Sequence, residues 1–127
     1  MQGRVTVDAA RRLIRCEFDE DATVEDWREA TPLVLRLSAE TGIRRVLVDL
    51  RQQQAVEQMA DLFEFGASIP STVAFAGLTA PNRADHRFVE TVARSRKKNV
   101  RLFVTSEEDA IAWLMTCPDE GIDRSAK

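Results

Sequence analysis

The chain has 127 residues, 44% hydrophobic and 31% charged, which suits one packed domain with a well-solvated surface. Its net charge of −3 argues against a general nucleic-acid binder, which is normally basic. Its apolar runs fall far short of the ~20 residues needed to cross a bilayer, so no membrane insertion is expected.

The opening stretch "MQGRVTVDAARRLIRCEF" has no apolar block of signal-peptide type, and a cytoplasmic location is expected. "GRVTVD" and "RRLIRCEF" read as two short strands around Ala9-Ala10, close enough for an antiparallel hairpin. In the second, Ile14, Cys16 and Phe18 share one face and Leu13, Arg15 and Glu17 the other. A helix follows, with Thr23 as N-cap, Asp26 closing a near-capping box and Gly42 stopping it. Its core stripe is Trp27, Ala30, Val34 and Leu37, and Pro32 either kinks the helix or restarts it.

"RRVLVDLR" is the strongest strand, with Val46, Val48 and Leu50 on one face and Leu47 on the other, as suits a central strand. A helix is expected from about Ala55 to Pro70, with Val56, Met59, Ala60 and Phe63 facing the core. Phe65 falls off that stripe, which leaves it for solvent or a second subunit. "STVAFAGL" is a fourth strand. "PNRADHRFVETVARSRKKN" is a helix whose core stripe is Phe88, Val89, Val92 and Ala93. "VRLFVT" is a fifth strand. "SEEDAIAWLMT" is a last helix, with Ser106 as N-cap, Asp109 closing the box, Ala110, Trp113 and Leu114 facing in, and Pro118 as the stop. Residues 1–117 then form one domain and 118–127 a flexible tail. The order β-β-α-β-α-β-α-β-α predicts an α/β sandwich: a mixed five-stranded sheet, an N-terminal antiparallel hairpin and about four helices.

In open α/β sheets, ligands bind beyond the carboxyl ends of the parallel strands. That rule nominates Asp49 and Arg51, then Gly77, Thr79, Asn82 and Arg83, then Thr105 and Ser106. Helix N-termini there leave N–H groups free for an anion. Each residue also has a simpler role: Asp49 as an Arg partner, Thr105 and Ser106 as caps, Gly77 as part of a turn. The sequence holds no GxSxG, Walker, GxGxxG or HExxH pattern. With Cys16 and Cys117 far apart and His86 the only histidine, no zinc site of the usual kind is expected, and no cofactor is implied. Cys16 reads as a buried thiol, Cys117 as the exposed end of the last helix, and His86 as a solvated surface residue. Residues 83–101 carry seven Arg or Lys (Arg83, Arg87, Arg94, Arg96, Lys97, Lys98, Arg101) against Asp85 and Glu90. A basic helix C-terminus suits the helix dipole; it also suits an acidic partner or anionic ligand. Aromatic residues are not interleaved with it, so nucleic acid is not an expected partner.

The element order, together with Arg11 to Phe18, Val46 to Arg51 and Glu107 to Leu114, resembles the SpoIIAA-like domains. These belong to the STAS and CRAL-TRIO related group of small cytoplasmic bacterial proteins. The resemblance spans roughly residues 4 to 116. It implies a regulatory or protein-interaction domain without catalysis, one that pairs with itself as a homodimer or with another protein. In the anti-sigma-factor antagonists of this group, a serine after the matching strand is phosphorylated, which adds about −2 charge at the docking face. Here that junction is Gln52, Gln53, Gln54, Ala55 and Val56, with no hydroxyl to modify. Trp27, Phe63 and Phe65 are the candidates for an apolar contact patch. The CRAL-TRIO relationship implies an alternative, a carrier of a small hydrophobic ligand held between sheet and helices. An enzyme using Asp49 with Arg51 or Arg83 ranks last.

Overall fold

A computed structural model describes residues 1–117. The elements run β1 (Gly3–Asp8), β2 (Leu13–Phe18), α1 (Val24–Thr41), β3 (Arg45–Asp49), α2 (Met59–Ser68), β4 (Ala74–Leu78), α3 (Ala84–Ser95), β5 (Val100–Phe103) and α4 (Glu107–Leu114). One mixed sheet holds the strands in sequence order, β1 antiparallel to β2 and the remaining neighbours parallel. This is the α/β class and element order that the sequence predicts. Among the described residues, no helix is long and apolar enough to cross a membrane.

Side-chain alternation on the strands makes two cores. Ile14, Cys16, Phe18, Val46 and Leu50 point to one face, where they meet Trp27 and Val34 of α1, Leu62 of α2, and Val89 and Ala93 of α3. Leu13, Leu47, Ala74, Ala76 and Leu78 point to the other, which α4 covers with Ala110 and Leu114. The small Ala74 and Ala76 let α4 lie close to β4. At the edge strand β5, the outward N–H of Leu102 is taken by the Glu90 carboxylate at 2.9 Å, which blunts an edge otherwise open to pairing.

Helix α1 begins as the sequence indicates. Thr23 caps it reciprocally with Asp26, and Gly42 ends it in the left-handed region at φ 79°. Pro32 neither restarts nor ends it; one helix runs through, with the proline ring at an exposed position.

Three boundaries differ from expectation. Helix α2 starts at Met59, not Ala55, because the Gln53 and Ala55 carbonyls are taken by the Arg83 guanidinium at 2.6 and 2.7 Å. Strand β4 starts at Ala74, three residues late, where its first ladder bond reaches the Arg44 carbonyl. Helix α3 is shorter at both ends, since Asn82 (φ 64°) and Lys97 (φ 63°) adopt left-handed backbone that a helix cannot include.

The face of α2 is also corrected. Leu62 and Gly66 point inward, while Val56, Met59, Ala60 and Phe63 are exposed. Gly66 fits tightly at its position: a Cβ there would lie 3.0 Å from the Val92 Cβ and 3.1 Å from the Val89 carbonyl oxygen, so α3 would have to give by a few tenths of an ångström. Phe65 turns inward instead, its ring 5.3 Å from that of the buried Trp27. Pro118 and the expected tail lie outside the described residues.

Candidate functional site

The nominated strand ends divide into three groups. At the end of β3, Asp49 and Arg51 pair with each other: the guanidinium donates to both carboxylate oxygens at 3.0 and 2.8 Å, and the Arg51 N–H donates to Oδ1. Partial burial pushes the Asp49 carboxyl up, but the Arg51 bonds and the charge of Arg15 outweigh it and hold the group below its ordinary range. A carboxylate so held is a poor proton acceptor near neutral pH. After β5, Thr105 is exposed, and Ser106 caps α4 by accepting the Asp109 N–H at 3.1 Å. Gly77 is not in a strand-end loop. It lies within β4, where a Cβ would come 2.6 Å from a Leu102 methyl.

The third group is joined by residues that sequence reasoning assigned elsewhere. His86, one turn into α3, is only 1% exposed, which corrects its expected place on the surface. Its Nε2 lies 3.2 Å from Gln53 Oε1 and its Nδ1 2.7 Å from the Thr79 hydroxyl. The Gln53 amide is oriented by its Nε2, which donates to the Ala22 carbonyl at 3.0 Å. Oε1 therefore accepts, His86 Nε2 carries the proton, and Nδ1 accepts from Thr79. Burial, with the nearby Arg83 charge and against the opposing Asp85, lowers the imidazole to about 4. Arg83 closes the cluster. It is bidentate to Asp85 at 3.0 and 2.8 Å and also donates to the Gln53 and Ala55 carbonyls. Burial raises the Asp85 carboxyl, yet Arg83 and His86 hold it below its usual range. Asn82 forms the left-handed turn just before this cluster.

Thr79, Arg83, Asp85, His86 and Gln53 thus act as a clamp that holds the 50–58 segment against the start of α3. Chemically, the clamp is spent on itself: the described polar atoms of the imidazole, the guanidinium and the amide all have partners. The signal that would have found it is the spacing of His86, Val89 and Ala93, which share one helical stripe.

Next to the clamp lies an apolar cavity of about 90 Å³ between the sheet and helices α1, α2 and α3. Cys16, Trp27, Val34, Phe65, Phe75 and His86 are among its walls. Trp27 Nε1 is buried without a hydrogen-bond partner. Cys16 is buried as expected, and desolvation pushes its thiol up to about 12. Cys117, expected at an exposed end, is buried as well; its Sγ sits 3.6 Å from both the Trp113 carbonyl and the Asn99 amide nitrogen. Among the described residues, no group of three or more His, Cys, Asp or Glu is placed to hold a metal.

Fold and site together define a mixed-sheet α/β protein with a buried polar clamp at its strand ends. Comparison with protein-family models, with curated proteins and with solved structures found no match.

Proposed function

We propose that this chain is a SpoIIAA-like interaction domain without catalysis, and that it pairs with a second copy of itself through the outer face of α2. The observation that carries the reading is an apolar strip made by that face and by Val56, three residues before the helix. Val56 is 75% exposed, Met59 66% and Phe63 47%, with the exposed Ala60 between them. A helix face of this kind, left open to water, is costly unless something covers it. Ala60 lets another helix approach closely. The rim carries both signs of charge: Arg28 bridges Asp61 and Glu64, and Arg96 lies over the Phe63 ring at 5.4 Å. A mixed-sign rim around an apolar strip suits a copy of itself better than a partner of one charge.

The clamp supports the same reading. It fixes the strand-to-helix junction that in the phospho-regulated relatives carries the modified serine. Here Gln53 turns inward and no hydroxyl stands at 52–56. Association is therefore constitutive rather than switched by phosphate.

Size-exclusion chromatography with light scattering tests the proposal. The unmodified chain should run as a dimer and Phe63→Asp as a monomer with unchanged circular dichroism. A strict monomer for the unmodified chain at high concentration would overturn it. The alternative, a carrier of a small hydrophobic ligand, ranks second because the cavity is about 90 Å³, against the ~300–1,000 Å³ of typical ligand sites. Native mass spectrometry tests it: a bound small molecule on the purified chain would reverse the ranking. Catalysis by Asp49 ranks last, since Arg51 already occupies both of its oxygens.

A further inference from the structure

The basic segment resolves into two parts. Its two acids are taken: Asp85 by Arg83 at 2.8 Å and Glu90 by Arg87 at 3.1 Å. Arg94, Arg96, Lys97, Lys98 and Arg101 have no carboxylate within 4 Å among the described residues. Arg96 is laid over Phe63. Arg94, Lys97, Lys98 and Arg101, the last of them also laid over the Phe103 ring at 5.4 Å, line one cleft of about 350 Å³ with Asn99 and Trp113. Arg94 comes from the last turn of α3, Lys97, Lys98 and Asn99 from the following turn, Arg101 from β5 and Trp113 from α4. The cleft lies at the amino end of β5, away from the clamp.

The backbone adds a second observation. Helix α3 ends in a Schellman-type turn: the Lys98 N–H bonds the Ala93 carbonyl and the Lys97 N–H bonds the Arg94 carbonyl, both at 3.0 Å. Lys97 occupies the left-handed position of that turn at φ 63°. Glycine fits there at no steric cost, and α1 uses Gly42 in the matching place at φ 79°. A lysine in this position gives up stability, and Lys97 is one of the residues that line the cleft. Arg12 and Asn82 are also left-handed, but of the three only Lys97 lines a cleft rich in cations, and strained backbone of this kind clusters at ligand sites.

We propose that this cleft binds a small phosphorylated molecule. Four cations exceed what one carboxylate balances. Two guanidinium forks suit phosphate oxygens, and two lysines add mobile point charges. The half-buried Trp113 indole, tilted against Phe103 at 6.1 Å, also lines the cleft and would supply its aromatic contact to a planar ring. The volume falls at the lower end of small-ligand sites. A long polyanion fits less well: the chain is net −3, so the surface beyond the cleft is negative and repels it.

The test is a titration of the full chain at low salt with ADP and, separately, with inorganic pyrophosphate, followed by amide chemical shifts. Saturable shifts at Lys97, Lys98, Asn99 and Arg101 are expected with Kd below ~1 mM. Equal affinity for the two probes assigns recognition to the phosphates alone; tighter ADP binding adds the indole face. The decisive variant is Lys97→Gly, combined with Lys98→Ala. It should raise the melting temperature, because the left-handed strain is gone, while weakening binding by about tenfold or more. No saturable shifts with either probe up to ~10 mM would overturn the proposal, as would a variant that binds as well as the unmodified chain.

Discussion

At the scale of single residues, His86 has the largest consequence. It is buried neutral, with its two nitrogens committed to Gln53 and Thr79. The folded imidazole titrates at about 4 against an ordinary value of 6.5. As pH falls, the unfolded chain therefore takes up this proton first. The stability that His86 supplies is complete above pH 6.5 and is lost as pH falls toward 4; a shift of this size is worth about 3 kcal/mol. Denaturant unfolding at pH 7 and pH 4.5 should show most of that loss. His86→Gln should be less stable at pH 7, by about 1–3 kcal/mol for the broken network, yet show a shallower pH slope. Equal slopes would mean that other groups dominate. Against the upward push of burial, hydrogen-bond partners hold Asp26, Asp49 and Asp85 below their ordinary 3.8, so their share is lost only at more acid pH. The two windows are separable. His86 itself was legible in outline: it shares a stripe with Val89 and Ala93. What made it read as a surface residue was its charged neighbours Asp85 and Arg87, and Asp85 is also buried, against Arg83.

At the scale of elements, α2 shows where periodicity stops deciding. Val56, Met59, Ala60 and Phe63 have helical spacing, and so do Leu62, Gly66 and Ile69. The first set is larger and more apolar, so it reads as the core face. The second is the one that packs, because Gly66 lets α2 approach Val89 and Val92 of α3. Replacing Gly66 with Val tests this. The added side chain has no room to enter, and a loss of about 1–3 kcal/mol is expected from thermal or urea unfolding. A neutral result would show that the two helices separate easily. By contrast, α1 was legible from end to end. Its Thr23–Asp26 box and Gly42 stop are local devices whose partners lie within a few residues.

At the scale of the molecule, among the described residues one short helix packs on the second face of the sheet. Among the described residues, helix α4, with Cys117 just beyond it, shields Leu13, Leu47, Ala74, Ala76 and Leu78, and its Leu114 is fully buried. Arg15 of β2 pairs with Glu107 at its start, and Arg45 of β3 donates to the Cys117 carbonyl at 2.9 and 3.1 Å just beyond its end. Leu114→Ala should cost about 2–5 kcal/mol, a large part of the ~5–15 kcal/mol that a domain of this size has to spend. The loss should be seen in one cooperative transition if both faces unfold together. A separate early transition would show that α4 detaches alone.

What the sequence determined by itself was whatever depends on neighbours along the chain. Strand alternation in β2 and β3, the caps of α1 and α4, and the element order all follow from residues within one or two turns of each other. The tertiary structure decided what depends on groups brought together from a distance. Gln53, Thr79 and His86 meet only because β3 and β4 end, and α3 begins, at the same edge of the sheet. Arg83 delays α2 only because it can reach the carbonyls of Gln53 and Ala55. The choice between the two apolar stripes of α2 also rests on the helix beside it. The "RQQQAVEQM" junction illustrates both: its missing hydroxyl is plain in the sequence, while the inward turn of Gln53 becomes visible only when His86 is there to meet it.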